Sequence, residues 1–188
     1  PGAKARLAQA DAMEHALIEC GYALIGIDHY ARPDDPMAQA LENGTLRRNF
    51  QGYTTDGCLT LIGLGVSSVS QFPLGYAQST KSIHDYRRAL DAGRLPIEKG
   101  IAFSGKNMAW GAAIEALMTY FKLDPAALKA RFGTQATLVL DRAAEVARTH
   151  PDGFLVKTRQ GYRVTPKGRY FIRSIAAAAG EQSSGLGE

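Results

Sequence analysis

Apolar residues at steps of three and four, namely Leu7, Ala10, Met13, Leu17 and Cys20, predict an amphipathic helix from Ala3 to Cys20 with one buried face. Gly21 ends it, and the run Tyr22, Ala23, Leu24, Ile25, Gly26, Ile27 predicts a short strand buried on both faces. Helix then buried strand is half of an α/β repeat. Half a repeat cannot cover both faces of its sheet, so its neighbours are expected in a segment upstream of this chain. Asp35 as N-cap, Pro36 at the first helical position and Gly44 as stop frame a second, short helix. Gly63 and Gly65 interrupt an apolar run, marking either a segment that another backbone or a ligand approaches closely or a bulge. Further on, Trp110, Ile114, Leu117 and Phe121 form a helical stripe read as core.

From Asp124 the pattern changes. Asp124 and Pro125 open a helix that Gly133 closes, and a second helical segment runs from Thr134 to Thr149. Pro151, Asp152 and Gly153 make a turn, after which Phe154, Leu155 and Val156 pair with Tyr162, Arg163 and Val164 across Gln160 and Gly161. Thr165 and Pro166 then cap a final helix carrying Tyr170, Phe171, Ile172 and Ile175. Helices, a hairpin and a helix resemble a winged-helix module. The expected fold is α+β: the last α/β elements of a partial (β/α) barrel, then a mostly helical, winged-helix-like C-terminal domain. The expected divisions are residues 1–78, 79–175 and a flexible tail at 176–188, where alanine gives way to glycine and serine.

Composition narrows the class without naming it. The chain has 188 residues, 45% apolar and 21% charged, enough for one globular unit with a real core or two small ones. No run approaches the roughly 18 apolar residues of a membrane span, and no basic-then-apolar leader opens the chain, so a soluble cytoplasmic protein without a membrane partner is expected. Cys20 and Cys58 lack the spacing of a zinc site or disulfide framework and are expected to be two buried thiols.

Two places carry candidate chemistry. Asp28, His29 and Tyr30 follow the predicted strand, where α/β sheets present groups to a ligand crevice; alternatively Asp28 and His29 only tie down the loop ending at Arg32 and Pro33. The second is Arg47, Arg48, Asn49, Phe50, Gln51, Gly52, Tyr53, Thr54, Thr55, which no simple periodicity explains. Gly52 permits a sharp turn or close approach, Phe50 and Tyr53 offer flat apolar surfaces, and Gln51 both donates and accepts hydrogen bonds, a set suited to an adenine and its ribose.

Read as RRNFQGYTT, that stretch resembles the signature of the oxygen-independent coproporphyrinogen III oxidases, radical S-adenosylmethionine enzymes of haem biosynthesis. The resemblance extends over Gly21 to Ala40, Leu61 to Ser68, and Tyr76, Ala77 and Gln78. It departs at Ser79, where the family usually has asparagine, and at Ser104 to Trp110, which lacks an acidic, arginine-rich helix start. The absence of a tryptophan near Tyr53 separates it from the related haem chaperones.

The resemblance implies a C-terminal portion. The family's 4Fe–4S cluster is held by CxxxCxxC, which this chain lacks. The parent would use that cluster and S-adenosylmethionine to decarboxylate propionates of coproporphyrinogen III to vinyls, giving protoporphyrinogen IX. This chain would supply pocket walls and a cap, binding no metal, having no catalytic residue of its own, and remaining monomeric. The positions aligned with Phe50, Gln51 and Val69 line the S-adenosylmethionine and substrate pocket in the family. A rival reading, a basic winged helix binding nucleic acid, rests on Arg142, Arg148, Lys157, Arg159, Arg163, Lys167, Arg169 and Arg173 and on a pI of about 9.1. It is the weaker one, because Thr134 to Thr149 offers mainly Leu138, Leu140, Ala143, Ala144 and Val146 rather than base-reading side chains.

Overall fold

The computed structural model describes residues 2–49 and 51–180, and it divides the chain into two units. One combines the segment up to Thr55 with the segment from Ala109 onward; the other is Asp56–Met108. The α+β class holds, with every strand pair among the described residues antiparallel. The sequence division at 78/79 falls inside a strand, Gly75–Ser79.

In the first unit, helix α1 (Ala3–Glu19) forms as its periodicity predicts, but its buried face does not. None of its described residues is buried, and Leu7, Met13 and Ile18 are exposed. Periodicity reports a face able to pack, and of this one only Ala10 and Leu17 are half-buried. Polar contacts hold the helix instead. The Tyr30 hydroxyl donates to the Glu14 carboxylate at 3.4 Å, and that of Tyr170 to Asp11 at 3.1 Å. The strand expected to lie buried in an α/β sheet is also corrected: β1 (Ala23–Ile25) turns back at once and pairs antiparallel with β2 (His29–Ala31), Ile25 opposite His29. The turn needs Gly26, whose φ of +58° lies in the left-handed region and whose missing Cβ leaves room for the Tyr53 ring. Helix α2 (Pro36–Glu42) begins where Asp35 accepts the Met37 N–H at 2.7 Å. Ile25, Ala31, Ala38, Ala40 and Leu46 close a small core. It leads into a hairpin of β3 (Arg47–Arg48) and β4 (Tyr53–Thr54).

The second unit is a three-stranded antiparallel sheet, β5 (Val69–Phe72), β6 (Gly75–Ser79) and, after helix α3 (Ile83–Asp91), β7 (Ile97–Ala102), in the order β5-β6-β7. Gly63 is one of the expected close approaches: a Cβ there would lie 2.7 Å from the Val69 carbonyl oxygen. Ser82 caps α3 by accepting the Asp85 N–H at 3.2 Å.

Helix α4 (Gly105–Tyr120) carries Ala109, Ala113 and Leu117 into the main core of the first unit, with Trp110, Ile114 and Phe121 packed against it as the stripe predicted. Strand β8 (Lys122–Leu123) follows, then α5 (Pro125–Phe132), capped by Asp124 and ended by Gly133, and α6 (Gln135–Thr149). The predicted hairpin is β9 (Leu155–Thr158) with β10 (Gly161–Val164), Leu155 opposite Val164, and β8 adds an unforeseen third strand beside β10. The expected final helix is broken. Thr165 caps α7 (Pro166–Arg169), a tighter turn from the Phe171 N–H to the Gly168 carbonyl intervenes, and α8 (Ile172–Gly180) continues. The stacking of Phe171 on Phe154, centroids 4.6 Å apart, accompanies that break. The tail expected from residue 176 begins within α8, and residues 181–188 lie outside the described ones.

Both cysteines are exposed rather than buried. Cys20 caps the uncovered α1, and Cys58 sits in an irregular stretch where its N–H bonds the Asp56 carboxylate at 2.8 Å.

Candidate functional site

The signature stretch is a hairpin whose turn is set by one side chain. The Asn49 carbonyl oxygen accepts the N–H groups of Gln51 at 2.8 Å and Gly52 at 3.3 Å, and the Asn49 N–H donates to the Gly52 carbonyl at 2.9 Å. Gln51 is thereby fixed in backbone while its side chain stays exposed. Phe50 lies outside the described residues. Val69 belongs to the second unit, half-buried in β5 opposite Gln78.

Helix α4 holds this hairpin by its strands. Glu115 takes the Arg47 guanidinium at 2.9 Å and the Arg48 N–H at 3.2 Å with the same carboxylate oxygen. The last turn of a helix leaves carbonyls without intrahelical partners, and two phenols fasten the hairpin and helix end. Tyr53 donates to the Met118 carbonyl at 3.0 Å, and Tyr120 reaches the Leu46 carbonyl at 2.7 Å. The Tyr53 oxygen also accepts the Ile27 N–H at 2.9 Å, tying the β1–β2 turn to the same helix. Burial pushes the Tyr53 phenol up from its ordinary value, opposed by hydrogen bonds from Ile27 and Arg48. Burial, then the Glu115 charge, does the same at Tyr120.

Around Tyr53 the structure gathers residues from both stretches singled out in the sequence. The His29 ring meets the Tyr53 ring edge-on, centroids 5.1 Å apart, and the Arg48 guanidinium carbon lies 5.5 Å from the Tyr53 centroid. Among the described residues the Asp28 carboxylate meets side chains rather than a backbone loop: it takes His29 Nδ1 at 2.8 Å and stands 3.8 Å from the Arg173 guanidinium. A carboxylate only accepts, so Nδ1 carries a proton and Nε2 is left for another partner. The Nε of Arg48 is buried with no hydrogen-bond partner among the described residues. Sequence reading offered Tyr53 as a flat surface and gave Arg48 and Glu115 no role. The only signal was the pair of arginines opening the stretch, and their carboxylate partner lies 68 positions away from Arg47.

No group of three His, Cys, Asp or Glu among the described residues is placed to hold a metal ion. Nor is any described helix long and apolar enough to cross a membrane.

Residues 104–171 match the model of the HemN C-terminal domain family. An oxygen-independent coproporphyrinogen III oxidase of Cereibacter sphaeroides is 44% identical over 158 residues, 84% of this chain and 35% of that protein. One of Bradyrhizobium diazoefficiens is 39% identical over 178 residues, 95% of this chain and 40% of the relative. Among solved structures, coproporphyrinogen III oxidase (HemN) from Escherichia coli, described as a radical SAM enzyme, superposes with a TM-score of 0.85 at 32% identity, covering 95% of this chain and 42% of that one. The chain thus spans less than half the length of the relatives it matches. By these matches it corresponds to the C-terminal portion of the oxygen-independent coproporphyrinogen III oxidase family, with the HemN C-terminal domain at residues 104–171.

Proposed function

We propose that this chain works as the C-terminal part of an oxygen-independent coproporphyrinogen III oxidase, a cytoplasmic monomer that oxidatively decarboxylates propionates of coproporphyrinogen III to vinyls. The supporting observation is the likeness to the Escherichia coli enzyme along 95% of the chain, close in both fold and sequence. The residues present do not fit a 4Fe–4S cluster: its ligands are cysteine thiolates, and Cys20 and Cys58 belong to no metal-holding group among the described residues. In this reading the cluster belongs to the rest of the parent protein. S-adenosylmethionine, the radical source when bound, fits better, because the Asn49-fixed turn presents the exposed Gln51 amide. Gln51 orients a polar group of cofactor or substrate, while Phe50 and Val69 exclude water from the reacting centre.

The nucleic-acid reading fares worse. The solvent side of α6 mixes Asp141 and Glu145 with its cations, and Arg142 is paired with Glu145 at 2.6 Å, so the helix offers no uniform phosphate-facing surface.

A chimera tests the function: residues 21–175 of this chain replace the matching segment of the Cereibacter sphaeroides enzyme, and anaerobic conversion of coproporphyrinogen III is assayed. The chimera is expected to turn over, and Phe50→Ala and Gln51→Ala to lower its turnover without unfolding it. A folded chimera that cleaves S-adenosylmethionine yet makes no product sinks the assignment. Unchanged kinetics in both variants sink the pocket roles.

A further inference from the structure

His29 and Arg48 sit against one immobilised ring. Tyr53 cannot drift, because its oxygen accepts the Ile27 N–H and donates to the Met118 carbonyl. Its neighbours are tethered too: the Arg48 backbone through its N–H on Glu115, and the His29 ring through Nδ1 on Asp28. Two groups therefore stand on one platform, the Arg48 guanidinium, which also hydrogen-bonds Tyr53, and His29 Nε2, the latter on a side chain 50% exposed. Asp28 offers them little competition, since it is already taken by Nδ1 and stands beside Arg173. A guanidinium and an imidazole beside a fixed aromatic ring form a receptor for a carboxylate when both ring nitrogens carry a proton and Nε2 donates.

We propose that His29 and Arg48 bind a carboxylate of the substrate, and that Tyr53 and Asp28 are their positioning residues. The inference rests on the reading above, in which the substrate is a porphyrinogen bearing four acidic side chains. It assigns an anchor for a propionate that does not react, beside the turn that carries Gln51. Holding one propionate in place presents another to the reacting centre in a repeatable orientation.

The test uses the 188-residue chain and coproporphyrin III, the stable oxidised form of the ring, followed by fluorescence titration and by heteronuclear NMR of the His29 imidazole. The free acid is expected to bind roughly tenfold or more tightly than its tetramethyl ester and to move the Nε2 resonance. Arg48→Gln and His29→Ala are each expected to weaken the free acid by roughly tenfold and close the gap to the ester. Lys122→Gln, a cation on the exposed face of β8, is expected to leave binding unchanged and so separates the anchor from general positive charge. Porphyrin binding with the His29 resonances unmoved and both variants unaffected overturns the anchor while leaving the functional reading intact. If tricarballylate moves His29 but coproporphyrin does not bind, the carboxylate site stands and the porphyrin reading falls. Failure of both ligands to move His29 overturns the inference, and turnover of the chimera still decides the reading.

Discussion

Tyr170 carries a large upward shift. Burial, followed by its hydrogen bond to Asp11 and the nearby Glu14 charge, pushes its pKa up from 10.0 to about 12. The folded chain favours the protonated phenol, so its contribution is complete below pH 10.0 and is lost as pH rises through about 12. Tyr170 is 41% exposed, and solvent screening keeps that contribution small. The phenolate absorbance of the wild type minus that of Tyr170→Phe is expected to show a midpoint near 12; one near 10 would deny the Asp11 contact. None of this is legible from the sequence, since Asp11 and Tyr170 lie 159 positions apart. Tyr53 teaches the same lesson. Its residue type announced a flat apolar face, yet its hydroxyl organises the site, and only the fold shows which carbonyl and which N–H it meets. Asp35, Asp124 and Thr165 were readable as caps because a cap is satisfied within three residues of itself.

Elements follow the same division between near and far. The β9–β10 hairpin, α2, α5 and the core stripe of α4 appear where their local patterns place them, because hairpin turns, prolines and helical periodicity act over a few residues. The sequence predicts, in place of the β1–β2 hairpin, one short buried strand from Tyr22 to Ile27. An apolar run with a central glycine satisfies both patterns, and the choice depends on Tyr53 filling the space beside Gly26. Strand β8 was missed because two residues carry no period; it exists because β10 offers it a free edge. At this scale Glu115 is the decisive side chain, one carboxylate accepting from both residues of β3. Glu115→Ala removes the acceptor of a half-buried guanidinium and of a backbone N–H, and is expected to cost about 1–3 kcal/mol in urea unfolding. Glu145→Ala, which breaks the more exposed pair on α6, is expected to cost under about 1 kcal/mol. Equal losses would mean that the hairpin is not held through Glu115.

For the molecule as a whole, the proposed reading implies a division of labour with the rest of the parent protein. The exposed apolar residues of α1 and those of the second unit, Leu64 at 86% and Leu95 at 81% among them, belong to a chain that covers only 35–42% of its relatives. The helical repeat of α1 predicts one buried face, and none of its described residues is buried, because burial depends on a partner surface that local pattern does not supply. The chemistry divides similarly. The proposed pocket wall needs an amide, and the first unit presents that of Gln51 on the turn fixed by Asn49. A cluster needs three converging thiolates, and this chain has two cysteines in all. Anaerobic reconstitution of the chain with iron and sulfide is therefore expected to leave it colourless, with iron well below one per chain after desalting. The chimera described above, which regains the relative's N-terminal part, is expected to take up about four irons and the broad brown absorbance of a 4Fe–4S centre. About four irons on the chain alone would place the radical source within these residues, and the pocket-wall assignment would have to be abandoned.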